Sequence, residues 1–177
     1  MTKEPSLVAV VITGTIGSGK TSVATAIGEM LGKKGIATAV VDLDWLGWVH
    51  LAPVRAPTPD VLIVTNLAAI VPNFIDAGVR HFVLARSLTN DRQVDSLRAA
   101  LPDANLIVVR LTASMQTVSA RLRARDEGEI LEEHLAQAQE FSVAQERGLV
   151  ADIRVTTDSR SVGEVAADVL ERLGWTE

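Results

Sequence analysis

Two kinds of apolar pattern alternate along the chain. Short, nearly continuous apolar runs occur at 7–13, 37–41, 81–85, 105–111 and 153–157. Each has the length of a strand, and the first, Leu7-Val8-Ala9-Val10-Val11-Ile12, reads as a strand buried on both faces of a parallel sheet. Between them, apolar positions recur at helical spacing. The stretch 20–33 carries Val23, Ala24, Ile27, Met30 and Leu31, and Gly32 and Gly35 bracket its end. Further helices are predicted over 59–77, 91–101, 114–125, 130–147 and from Ser161 to about Leu173. Thr58 as N-cap and Pro59 as first helical residue start the second helix, Gly78 closes it, and Pro72 is expected to kink or split it. Pro53, Pro57 and Pro59 make 49–58 a loop. Regular alternation of strand and helix predicts an α/β fold with a parallel sheet wrapped on both faces. Ligands in such folds sit at the carboxyl ends of the strands. The positions to weigh are therefore the loop after the first strand, Asp42 and Asp44, Arg86, Thr112 and Thr157.

The loop after the first strand reads Gly14-Thr15-Ile16-Gly17-Ser18-Gly19-Lys20-Thr21, followed by Ser22. It fits the Walker A pattern G-x-x-x-x-G-K-[ST] at every fixed position and stands between a strand and a helix, as that pattern requires. Such a loop turns its N–H groups inward as a nest for phosphate oxygens, at the positive end of the following helix. Gly14 through Ser22 are the candidate nucleotide contacts. Lys20 would reach the outer phosphates and the Thr21 hydroxyl would ligate Mg²⁺.

Asp42 and Asp44 stand two apart at the end of the second strand, so an extended chain turns them to the same side. Two carboxylates beside a triphosphate site suit two tasks, holding Mg²⁺ and accepting a proton from an attacking hydroxyl. Asp44 is read as the base and Asp42 as part of the metal shell with Thr21, the reverse assignment staying open. Arg121 and Arg125 are four apart on one predicted helix and share a face, while Arg123 points elsewhere. Two guanidiniums on one face suit a transferring phosphoryl group. The break at 126–129 makes the region around 119–132 a hinged lid that excludes water. Arg86 either binds an anionic acceptor or the phosphate in flight, or forms a surface ion pair. Trp45 and Trp48 either stack on a planar acceptor or close the core, with core favoured because tryptophan buries a large area. Asn66 is read as a satisfied buried amide, and His50, His81 and His134, which lack ligand spacing, as structural.

A chain of 177 residues, 47% hydrophobic, suits a single domain over 1–177. The net charge of −5 argues against a nucleic-acid partner, including a role phosphorylating nucleic-acid ends. Cysteine is absent, the N-terminal residues lack signal-peptide character, and the apolar run 61–71 is interrupted by Asn66 and too short to span a bilayer. The expectation is a cytoplasmic protein with no membrane or nucleic-acid partner, its oligomeric state open.

With these pieces in place, the chain resembles the P-loop small-molecule kinases of nucleoside-monophosphate-kinase-like fold, nearest the adenylylsulfate and gluconate kinases. The resemblance spans nearly the whole chain. It is carried by G-x-x-G-S-G-K-[ST] at 14–21, D-x-D at Asp42-Leu43-Asp44 and R-L-x-x-R at Arg121-Leu122-Arg123-Ala124-Arg125. It implies a three-layer sandwich with a five-stranded parallel sheet of order 2-3-1-4-5 and a short helical lid. It also implies ATP and Mg²⁺, Arg121 near the adenine and phosphates, Arg125 near the phosphates, and Thr157-Asp158-Ser159 beside the adenine. Trp45-Leu46-Gly47 stands where adenylylsulfate kinases usually carry an arginine, and Arg86-Ser87-Leu88 where they carry S-P-Y/F. The expected function is an ATP-dependent phosphotransferase acting on a hydroxyl of a small molecule. The alternative is a nucleotide-binding sensor or ATPase module without an acceptor, which needs neither the acidic pair nor the arginines.

Overall fold

The structure, a computed structural model, describes residues 7–49 and 58–175; the prolines at 53 and 57 and His50 lie outside that range. Five strands, β1 (Leu7–Thr13), β2 (Thr38–Asp42), β3 (His81–Ala85), β4 (Ala104–Thr112) and β5 (Ile153–Thr156), pair in parallel in the order β2-β3-β1-β4-β5. Six helices cover them: α1 (Lys20–Lys33), α2 (Pro59–Asp76), α3 (Asp91–Ala100), α4 (Met115–Arg125), α5 (Gly128–Gly148) and α6 (Val162–Leu173). This is the expected three-layer sandwich with the expected strand order.

Strand periodicity divides the core. Ala9 and Val11 of β1 face one way and join Leu67 of α2, Phe82 and Leu84 of β3 and Leu97 of α3. Val10 and Ile12 face the other way and join Ile27 and Leu31 of α1 and Val165 and Val169 of α6. The sheet thus has an α2/α3 face and an α1/α6 face, both dry. A smaller cluster of Val118, Leu122 and Ala138 lies between α4 and α5, with Ile16 of the glycine loop packed against it. The α4–α5 hairpin therefore rests on the loop through carbon contacts.

Helix boundaries follow local chemistry. Ser161 and Glu164 close a capping box at the start of α6, and Gly174, at φ +69°, ends it. Pro72 does not split α2 as expected. It sits on the exposed side, so the carbonyl that it leaves unpaired one turn back, on exposed Ala68, meets water. The apolar run 61–71 is extended by the helix to 18 residues, the one described helix long and apolar enough by length and composition to cross a membrane. It lies against the sheet and buries Ile63, Leu67 and Val71 there. α5 begins two residues earlier than predicted, at Gly128 with φ +59°, which shortens the break before it to Asp126 and Glu127.

Candidate active site

β1 delivers the glycine loop to the carboxyl edge of the sheet. Gly17 and Gly19 hold φ of +78° and +93°, a region closed to most side chains, and these values curl the loop into the start of α1. The first bond of that helix runs from Val23 N to Gly19 O at 2.9 Å, so the N–H groups of the turn before it project from the helix end. At Gly17 an added methyl would come within 3.2 Å of Val118 and 3.3 Å of Leu122, tighter than ordinary contact, so a side chain there would press on α4.

Lys20 donates to Thr15 O across the loop at 2.9 Å. Burial lowers its pKa to about 8, with Asp44 and then Asp42 pulling it back up and Arg125 pushing it down. The ammonium is thus within charge range of Asp44, Asp42 and Arg125, the groups that the sequence assigns to the same chemistry. Thr21 Oγ1 donates to Asp42 Oδ2 at 2.8 Å, and Asp42 Oδ1 accepts from Asp44 N at 3.1 Å. The second bond caps the 3₁₀ turn Leu43–Leu46 and fixes the acidic pair. Loss of water around its carboxyl, then the neighbouring Asp42 charge, raise the Asp44 pKa above the ordinary carboxylate value, while Arg86 and Lys20 pull it down.

On the other side, α4 supplies Arg121. Its Nη1 donates to Thr157 Oγ1 at 2.9 Å and to Gly17 O and Ser18 O at 3.3 and 3.4 Å, and its Nη2 donates to Thr157 O at 2.9 Å. It ties α4, the loop and the end of β5 together. Arg125 Nε and Nη2 both donate to Asp126 at 2.8 Å, and His134 Nδ1 lies 2.7 Å from the same carboxylate. His134, read as structural, orients this arginine through Asp126. Arg123 is exposed, as its helical phase predicts.

Three clefts open along this edge. One of about 230 Å³ is lined by Gly19, Lys20, Thr21, Arg121, Leu122 and Arg125. A second of about 360 Å³ adjoins it, lined by Ser18, Ser22, Arg121, Thr157, Arg160 and Val165 among others. The third, about 240 Å³, lies between α2 and α3 and includes Asp60, Arg86, Leu88, Asn90, Arg92 and Gln93.

Two expectations need correction here. Trp45 and Trp48 do not close the core: they are 68% and 64% exposed and stack on each other with ring centroids 4.9 Å apart. The core is filled without them: Trp45 stands on the 3₁₀ turn that Asp42 caps, and Trp48 follows two residues after its end. Asn66 is also exposed, although its amide is satisfied by Leu46 O at 2.7 Å. For Arg86 the ion-pair reading holds in part, since Asp60 is 52% exposed. Arg86 itself is buried and paired with Asp60. Asp60, Asn90 and Gln93 had escaped the sequence reading. The available signal was that a helix following a strand begins at the carboxyl edge, which puts the first turns of α2 and α3 beside the site.

No family model matches the chain, and no curated protein matches it. Solved structures do. The tunicamycin resistance protein of Deinococcus radiodurans aligns over 95% of this chain and 96% of its own, with TM-score 0.65 and 20% identity. The APS kinase of Mycobacterium tuberculosis, in complex with AMPPNP and APS, aligns over 96% and 99%, with TM-score 0.63 and 24% identity. The shikimate kinase of Acinetobacter baumannii, in complex with shikimate, aligns over 97% and 95%, with TM-score 0.58 and 19% identity. The chain has the fold of the P-loop small-molecule kinases, of nucleoside-monophosphate-kinase-like type. At these identities the likeness is one of fold.

Proposed function

We propose that the chain is an ATP- and Mg²⁺-dependent phosphotransferase that moves the γ-phosphoryl group to a hydroxyl of a small molecule. The observation that carries this reading is the meeting of Lys20, Asp42, Asp44 and Arg125 at the glycine loop, with Thr21 bonded to Asp42. The kinases among the matched structures support the same class of reaction. A nucleotide-binding module without an acceptor does not call for a second carboxylate or for a separate cleft beside it.

The residues present fit the groups implied. Thr21 Oγ1 and Asp42 Oδ2, 2.8 Å apart, form a pair of hard oxygen donors beside the phosphate nest. No cluster of three or more His, Cys, Asp or Glu that could hold a metal occurs among the described residues. That suits Mg²⁺, which keeps several waters and binds through one or two carboxylates plus substrate phosphates. When bound, Mg²⁺ neutralises the charge that develops on the phosphates.

In the proposed reaction the acceptor oxygen bonds to the γ-phosphorus as the bond from that phosphorus to the bridging oxygen breaks. ADP leaves, and the hydroxyl proton passes to Asp44. The raised pKa of Asp44 makes it the better base of the pair, while Asp42 is held by Thr21 and the Asp44 N–H. The loop amides and Lys20 bind the phosphates. Arg125 adds its charge from the lid, oriented by Asp126. Arg121 holds the loop and lines both nucleotide-side clefts, and Thr157 borders the one toward the base. The α4–α5 lid excludes water, and Trp45 offers an exposed ring to the acceptor. The test is ADP release with and without a panel of alcohols, including nucleosides, adenylylsulfate, gluconate and polyols. Release that needs one acceptor supports the reading. Tight nucleotide binding with release independent of every acceptor would favour the acceptor-free module.

The lowered pKa of Lys20 makes nucleotide affinity depend on pH. Above about 8 the free protein loses the ammonium proton, whereas bound phosphate favours the charged form, so binding there must take up a proton. Affinity for ATP is expected to be nearly flat below that value and to fall by up to roughly tenfold per pH unit above it. Calorimetric titrations at about pH 7 and about pH 9.5 check this, and equal affinities at both would contradict it.

A further inference from the structure

The third cleft bears on the kind of acceptor the protein takes, an inference that rests on the phosphotransferase reading. Its buried cation is Arg86, whose side chain is 10% exposed and already paired with Asp60, itself 52% exposed. The other Asp60 oxygen accepts from Gln93 Nε2 at 3.1 Å. Gln93 is fixed in turn, its Oε1 accepting from Thr89 N at 2.8 Å, while Asn90 Oδ1 accepts from Gln93 N at 3.2 Å. The guanidinium that a phosphate, sulfate or carboxylate would need is thus already engaged by the Asp60 carboxylate. Among the described residues, the remaining cation on the lining is Arg92, exposed on α3. An anionic acceptor entering here would meet the half-exposed Asp60 carboxylate with like charge.

A hydroxyl group suits the cleft better. It both donates and accepts, so it can give a hydrogen bond to the exposed part of Asp60 and take one from an arginine. Val64, Leu88 and Leu97 line the same cleft and suit the carbon face of a ring or chain. We infer that the acceptor is an uncharged polyhydroxy compound, a sugar- or polyol-like alcohol, seated between α2 and α3 with Asp60 as its hydroxyl-binding residue and Arg86 as the internal counter-charge. Transfer then follows the balanced step above: alcohol plus ATP gives a phosphomonoester, ADP and a proton.

Sulfate serves as the probe for an anionic acceptor group, with the glycine loop first filled by saturating AMPPNP and Mg²⁺. Binding is followed by tryptophan fluorescence, and melting temperature confirms that each variant is folded. The wild-type protein is expected to show no saturable sulfate binding at millimolar concentrations. Asp60→Asn, which leaves Arg86 without its counter-charge, is expected to gain sulfate affinity by about tenfold or more. In turnover, wild type is expected to prefer the uncharged member of matched pairs, a nucleoside over its monophosphate and glucitol over gluconate, and Asp60→Asn to narrow that preference by about tenfold. Saturable sulfate binding by wild type that Asp60→Asn leaves unchanged would overturn the inference, as would wild-type preference for the charged member of each pair, while leaving the phosphotransferase reading intact. A protein that binds no AMPPNP with Mg²⁺ fails that reading and this inference with it.

Discussion

Lys20→Ala is expected to lower kcat by roughly 10²–10³-fold and to weaken ATP binding, because a fixed charge aimed at developing phosphate charge is worth that much in a water-poor site. The ammonium is in place before any ligand arrives. It bonds to Thr15 O at 2.9 Å, and its pKa already responds to Asp44, Asp42 and Arg125. Removing it leaves the loop amides and the helix end to hold the phosphates, so some nucleotide affinity should persist. It also leaves Asp42 and Asp44 without a nearby cation on that side, which should push the Asp44 pKa up further. The variant should therefore lose turnover most severely at low pH. Single-turnover rates and calorimetric ATP binding, measured in parallel, check this. Unchanged turnover would exclude the glycine loop from the chemistry.

Asp44→Asn should cost roughly 10²–10⁴ in kcat, the range spanned by general-base catalysis, with little change in nucleotide affinity. The direction of the pH dependence follows from the pKa. A base must be deprotonated to act, and the Asp44 pKa is raised first by desolvation and then by Asp42. Activity should therefore climb as pH rises through a value above the ordinary carboxylate range, and the variant should lack that climb. Asp42→Asn should behave differently, because Asp42 is bonded to Thr21 Oγ1 and its loss should raise the Mg²⁺ requirement. Equal pH profiles for wild type and Asp44→Asn would remove Asp44 from the role of base and leave it to Asp42.

Most of the frame could be read from the chain because local patterns decide it. The apolar runs set the strands, Gly14 to Thr21 set the phosphate loop, and caps such as Thr58, Ser114 and Ser161 set helix starts, each capping its helix as local chemistry directs. Strand order follows from the resemblance to known kinases and register from no local pattern, since parallel pairing joins segments far apart in sequence. The site was legible where it is local. Thr21 and Asp42, both at the carboxyl edge of the sheet, stand 2.8 Å apart. It was not legible where two distant segments meet. Nothing around Arg86 announces that Asp60, 26 residues earlier, neutralises it. Trp45 and Trp48 were misjudged because burial depends on where a 3₁₀ turn points, which the tally of aromatic residues cannot tell. Gln145, buried at the far end of α5 and bonded to Leu88 O at 2.7 Å, is likewise visible only in the folded chain.

The most direct test of phosphoryl transfer to an alcohol is phosphorus NMR of the protein with ATP, Mg²⁺ and each alcohol of the panel in turn. The account predicts a phosphomonoester resonance that grows with one acceptor, matches the ADP formed, and disappears in Lys20→Ala. Inorganic phosphate as the sole product, at a rate no acceptor changes, would contradict it.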